Sequence, residues 1–94
     1  MKIKRAHGSV ELEFLKCGGT YLHSIEVDPD WRGRGYGDWL LKKALSAAVL
    51  PVYLLASPEL GGDPDLLVKW YKRHGFVKKR GRDVGYNYNM VRWE

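Results

Sequence analysis

Apolar and polar positions change period along the chain, and the changes mark out its elements. Val10, Leu12 and Phe14 alternate with Glu11, Glu13 and Leu15, the period of two of a half-buried strand. A short strand over residues 3–6 precedes it across His7-Gly8-Ser9. Cys17-Gly18-Gly19 then turns the chain into a third strand over 20–27, which Asp28-Pro29 stops. These three strands predict an antiparallel meander. From Tyr36 the period lengthens. Tyr36, Leu40, Leu41, Ala44, Leu45, Ala48 and Val49 form the stripe of an amphipathic helix that Pro51 ends, with Asp38, Lys42, Lys43 and Ser46 off the stripe.

Residues 52–56 are almost wholly apolar, as in a strand covered on both faces, and 57–62 read as a loop. Asp63-Pro64 opens a second helix with a capping carboxylate and a proline at the first helical position. Leu66, Leu67, Trp70, Tyr71 and His74 repeat the helical stripe, and Gly75 suits a left-handed terminator. Strands over 76–79 and 86–93, joined by Arg80-Gly81-Arg82-Asp83, complete the order β-β-β-α-β-α-β-β. The fold class is α/β (α+β), a mixed and mostly antiparallel sheet with two helices. Its third strand, first helix and next strand form a βαβ crossover.

Composition narrows the class. One domain of 94 residues, 45% hydrophobic and 13% aromatic, has the material for a core. No stretch approaches the roughly 20 apolar residues that cross a bilayer, and Met1-Lys2-Ile3-Lys4-Arg5 lacks the apolar centre of a signal peptide. The expectation is a cytoplasmic protein without a membrane partner. Cys17 is the sole cysteine, and His7, His23 and His74 show no ligand spacing, so no metal is expected. The net charge of +5 points to an anionic partner. Residues 69–94 hold half of the 16 Lys and Arg, interleaved with turn residues and not with a stacking array. A solvated surface therefore ranks ahead of a nucleic-acid interface.

Arg32-Gly33-Arg34-Gly35-Tyr36-Gly37 joins the third strand to the first helix. A glycine-rich turn there lets main-chain N–H groups converge on an anion, with the helix N-terminus and two arginines adding positive charge. The bare reading is a pyrophosphate cradle, with a plain tight turn as its rival. A dinucleotide fingerprint starting at Gly33 or Gly35 requires glycine where Asp38 or Leu40 stands, and the phosphate-loop Gly-Lys-Ser/Thr is absent.

The stretch Val27-Asp28-Pro29-Asp30-Trp31-Arg32-Gly33-Arg34-Gly35-Tyr36-Gly37 resembles the acetyl-CoA motif of the GCN5-related N-acetyltransferases (GNAT): a valine-ending strand, a Pro-containing link, then Arg/Gln-x-x-Gly-x-Gly/Ala opening a helix. Trp70-Tyr71-Lys72-Arg73-His74-Gly75-Phe76 is similar to the family's Tyr-x-x-x-Gly-Phe, and Asn89-Met90-Val91-Arg92-Trp93 loosely matches its last strand. The resemblance implies a V-shaped splay between the strands near 20–28 and 52–57. It implies acetyl-CoA as co-substrate, with the main chain at Ile25, Glu26 and Val27 on the pantetheine. Gly33, Gly35, Tyr36 and Gly37 would hold the pyrophosphate with Arg32 and Arg34, and Asp38 is expected to point away.

The activity so implied is direct acetyl transfer, in a ternary complex, to a primary amine, most simply a lysine on a protein. Tyr71 stands where the family's hydroxyl protonates the departing thiolate. Glu26 is the leading carboxylate for the amine's proton. Alternation puts Glu26 on the face opposite Ile25 and Val27, and His23, three residues earlier, points to the other face. His23, His74 and a water chain are the alternatives. The resemblance also implies a minimal domain over 1–94 without the family's usual N-terminal strand and two helices. Its acceptor mouth is then open, or completed by a protein substrate or a homodimer partner. The brevity and end motifs resemble small acetyltransferases of phages and mobile elements, some of which inhibit CRISPR nucleases. The competing readings are a non-catalytic acyl-CoA-sensing module and a nucleic-acid-binding regulatory module.

Overall fold

The computed structural model describes residues 1–57 and 63–94, so most of the loop expected over 57–62 lies outside the described residues. The strands are β1 (Lys2–Arg5), β2 (Gly8–Phe14), β3 (Thr20–Val27), β4 (Val52–Leu54), β5 (Val77–Gly81) and β6 (Tyr88–Arg92). The helices are α1 (Tyr36–Ala47) and α2 (Pro64–Arg73), with a 3-10 turn over Pro29–Trp31. The strands form one sheet in the order β1-β2-β3-β4-β6-β5, in which only β3 and β4 run parallel. Their parallel pairing follows from the crossover through α1.

Both helices pack on one face of the sheet. Leu40, Leu41 and Ala44 of α1, with Tyr71 of α2 and Phe76, meet Val10, Leu12, Leu22, Val52, Leu54 and Met90 in the main core. Gly8 is required by close approach on two sides, since a Cβ there would stand 2.5 Å from the Glu26 carbonyl oxygen of β3 and 2.9 Å from Leu40 Cδ1 of α1. The opposite face carries a smaller cluster of Tyr21, Tyr88 and Val91, flanked by Leu15, Tyr53 and Val84. No helix among the described residues is long and apolar enough to cross a membrane.

Three departures from the sequence pattern shape the site. α1 ends at Ala47, short of Val49, although the apolar stripe continues. The Thr20 hydroxyl donates to the Val49 carbonyl and accepts the Val49 N–H, both at 2.8 Å, drawing Val49 out of the helix. β3 and β4 pair only over Thr20–Leu22 against Val52–Leu54 and then part. Beyond the parting, Asn89 on β6 accepts the Ala56 N–H at 2.7 Å and donates to its carbonyl at 3.0 Å, which draws the chain after β4 toward β6. The third departure is a bulge in β3. Leu22 faces Leu12 and Ser24 faces Glu11, which leaves His23 without a partner on β2.

Candidate functional site

A cleft of about 1320 Å³ opens where β3 leaves β4. The free part of β3 forms one side and α2 the other, with the glycine turn at one end and Tyr86 and Asn87 among its further lining. At the turn, the 3-10 helix bonds the Trp31 N–H to the Asp28 carbonyl at 2.8 Å, and α1 begins at Tyr36. Gly33 and Gly35 have φ of 76° and 84°, the left-handed region that glycine occupies without strain. Gly35 is the N-cap of α1 and brings no side chain to its first-turn N–H groups. Those donors have no intrahelical acceptor.

The residues expected to hold a cofactor divide into two sets. Ile25, Glu26, Val27, Arg32, Gly33, Gly35 and Gly37 all line the cleft. Arg32 also donates through Nε to the Val27 carbonyl at 3.2 Å. Arg34 and Tyr36 are absent from the lining. The Arg34 guanidinium lies 4.8 Å from the Trp31 ring, and Arg5 lies over Tyr36. Trp31 in turn stacks on His7 with ring centres 3.6 Å apart. These rings and cations form an aromatic–cationic array beside the turn, assembled from residues too scattered for the sequence to show it.

α2 is held by its caps. Asp63 accepts the Asp65 N–H at 2.9 Å, and past the last turn the Gly75 and Phe76 N–H groups bond the carbonyls of Lys72 and Tyr71. The helix presents Leu66, Leu67, Trp70 and Tyr71 to the cleft. Leu66 is 63% exposed, an apolar residue that a purely structural helix would turn inward. Part of the helical stripe of the sequence is thus cleft wall. Asp38 lines the cleft and turns toward α2: its Oδ1 accepts the Trp70 indole N–H at 2.6 Å and lies 3.1 Å from His74 Nε2. The indole first, and then His74, hold this carboxyl below its ordinary range. His74 is thereby engaged outside the cleft lining.

Tyr71 is 8% exposed, and burial pushes its hydroxyl up to about 12. That hydroxyl makes no hydrogen bond among the described residues. Glu26 is exposed and likewise forms no hydrogen bond or ion pair there. His23, an alternative base in the sequence reading, lies in the same cleft, and its partners Glu13 and Tyr86 are what the sequence did not show. His23 Nε2 lies 3.1 Å from Glu13 Oε1, which also accepts the Tyr86 hydroxyl at 2.7 Å. The Tyr21 hydroxyl donates to the Asn87 carbonyl, tying the β5–β6 loop to the same face. Tyr86, then His23, hold the Glu13 carboxyl below its usual range.

The bulge corrects the expected orientation of His23. It reverses the strand's alternation after Leu22, so Ile25 and Val27 pack on the α1 core as Leu22 does. His23 instead packs against Tyr21 and Tyr86, on the face away from α1 toward which alternation also directs Glu26. The expectation of opposite faces assumed an unbroken strand.

Comparison with known proteins agrees with this geometry. The family described as the acetyltransferase (GNAT) domain matches residues 3–78. An uncharacterized N-acetyltransferase of Methanocaldococcus jannaschii is 38% identical over 58 residues, covering 62% of this chain and 26% of that relative. The chain thus spans about a quarter of that relative's length. The crystal structure of the anti-CRISPR protein AcrVA5 superposes with a TM-score of 0.71 at 20% identity, covering 100% of this chain and 97% of that one. The paiA N-acetyltransferase of Thermoplasma acidophilum, in complex with coenzyme A, gives 0.68 at 16% identity, covering 94% of this chain and 54% of that one. At these identities the structural likeness is one of fold.

Proposed function

The chain belongs to the GNAT acetyltransferase domain family, and on that premise we propose that it transfers an acetyl group from acetyl-CoA to a primary amine, a lysine on a protein. The observation that carries the reading is the parting of β3 from β4, with the glycine turn at one end of the gap and the Tyr71 hydroxyl in its wall.

The residues present fit the donor. Orphan N–H groups at the start of α1 face an end of the cleft where Gly33 and Gly35 interpose no side chain. A Cβ at either position would meet nothing within 4 Å, so the space beside the turn is open to a pyrophosphate. Arg32 adds a cation, and the Asp38 carboxylate, also in the cleft lining, is engaged by Trp70 and His74. Residues 23–27 of β3 have no β4 partner among the described residues, which leaves main-chain groups for an extended amide-bearing arm. Leu66, Leu67 and Trp70 give that arm apolar cover.

When bound, acetyl-CoA supplies the acetyl thioester. Tyr71 keeps its proton at neutral pH, because its hydroxyl is pushed up to about 12. The role that fits Tyr71 is therefore a hydrogen-bond donor to sulfur as negative charge develops there. Glu26, on the free part of β3, and His23 both line the cleft as candidates for the amine's proton.

The full-length match to an anti-CRISPR protein makes a protein of a CRISPR system the first acceptor to try. The test compares acetylated proteins, by mass spectrometry, in cells expressing the chain or its Gly35→Glu variant. Acetylation confined to the unsubstituted chain supports the proposal. An unchanged pattern removes the cradle assignment, and acetyl-CoA binding with no acceptor modified leaves an acyl-CoA-sensing module.

A further inference from the structure

We propose that His23, oriented by Glu13, takes the proton from the acceptor's ammonium group, an inference that rests on the acetyl-transfer reading and names the base within it. An alkylamine with a pKa near about 10 arrives charged at neutral pH and needs a proton acceptor beside the thioester. His23 stands where β3 leaves β4, one residue past Leu22, the last to pair with β4. Its ring lines the cleft, with the Tyr21 and Tyr86 ring centres each 4.9 Å away.

The contact at 3.1 Å between His23 Nε2 and Glu13 Oε1 fixes the tautomer. A carboxylate accepts, so Nε2 carries the hydrogen and Nδ1 keeps its lone pair. The Tyr86 hydroxyl bonds the same Glu13 oxygen and immobilises the carboxylate. Nδ1 has no partner among the described residues, and the side chain is 29% exposed. Glu26, also in the cleft lining, has no hydrogen bond or ion pair to hold it in place among the described residues.

The step balances without a further reactant. One N–H bond of the ammonium breaks, its electron pair stays on the amine nitrogen, and the proton passes to His23 Nδ1. The imidazolium is compensated by Glu13 and returns its proton to water through the exposed edge of the ring. The groups facing His23 are Glu13 from β2, Tyr21 from β3 and Tyr86 from the β5–β6 loop, with Glu26 along the cleft; the Met1 amino group acts on Glu13. Glu13 is a positioning residue, since it acts through His23.

Two measurements test the dyad. Long-range nitrogen–proton correlation on the labelled full chain should show His23 with hydrogen on Nε2, a preference lost in Glu13→Ala; hydrogen on Nδ1 overturns the proposal. Thiol release with acetyl-CoA and poly-L-lysine is then followed against pH. His23→Gln should lower the plateau about 100-fold and remove the acid limb, with acetyl-CoA affinity unchanged and the melting temperature within about 5 °C. An unchanged profile in His23→Gln overturns the dyad alone, as does loss of the limb in Glu26→Gln in its place. Failure of the unsubstituted chain to bind acetyl-CoA overturns the acetyl-transfer reading and the dyad with it.

Discussion

The two sides of the cleft are built by different means. The turn side is six consecutive residues, Arg32 to Gly37, and in the proposed reading it binds mainly through main-chain N–H groups, with Arg32 adding charge. The opposite side uses side chains drawn from three elements: Glu13 and His23 are ten positions apart, and Tyr86 is 73 from Glu13. A main-chain site depends on dihedral angles and tolerates many neighbours. A side-chain cluster depends on strand register, and one slipped residue dismantles it. The turn side should therefore fail only when its backbone or charge is attacked, and the other side when any one contact is removed.

The largest effect is expected from Gly35→Glu. Its φ of 84° costs an L residue about 1–2 kcal/mol, and the carboxylate opposes an anion at the N–H groups. A Cβ there meets nothing, so the fold should persist while acetyl-CoA affinity falls at least about 100-fold by calorimetry. Retained affinity would place the pyrophosphate elsewhere.

Tyr71→Phe separates chemistry from binding. The turnover rate should drop about 100-fold, with acetyl-CoA affinity unchanged. Stability adds a second readout. The folded hydroxyl sits at about 12 against about 10 when unfolded, so its stabilisation is complete below pH 10 and is lost as pH rises from 10 to 12. Over that window the unsubstituted chain should lose about 2–3 kcal/mol more than Tyr71→Phe in denaturant titrations. Parallel losses would mean that burial leaves the hydroxyl near its ordinary value.

How much the sequence disclosed follows the same division. Element order, the exact span of β3, the Asp63-Pro64 helix start and the glycine turn were all legible, because each is set by neighbours in sequence. The end of α1 was not, since Thr20 removes Val49 from 29 positions away. The bulge was not, because alternation through His23 reads as an unbroken strand. Nor was the array of His7, Trp31, Tyr36 and Arg34, whose members meet only after β1, β2 and the turn are packed. Leu66 and Trp70 carried a helical stripe that serves core and cleft alike, and periodicity alone does not separate the two.

The parting of the strands is the next feature to break. Asn89→Ala removes both bonds that draw Ala56 toward β6, at a cost of about 1–2 kcal/mol. For a domain of this size that lowers the melting temperature by roughly 4–16 °C. With the segment after β4 released, acetyl-CoA affinity should fall about 10-fold, while the His23 tautomer, set across β2 and β3, stays the same. A variant that melts lower yet binds as before would show that the gap is held by something other than Asn89.

The smallest effect is expected where the two helices meet at Asp38, and its sign is informative. The carboxylate suits the start of α1 but opposes an anion bound beside it. Asp38→Asn keeps an oxygen for the Trp70 indole and removes the charge, so the link between helices survives. Acetyl-CoA affinity should rise about two- to threefold at low ionic strength, and the gain should vanish near about 0.5 M salt as screening shortens the interaction. Its depressed pKa makes the carboxylate's contribution to stability present above the ordinary carboxylate range and lost as pH falls through the folded value. Asp38 is half exposed, so that contribution lies at the low end of the 0.2–1 kcal/mol typical of surface pairs. If Asp38→Asn weakens binding, the His74 contact matters more than the charge, and the turn side depends on a side chain after all.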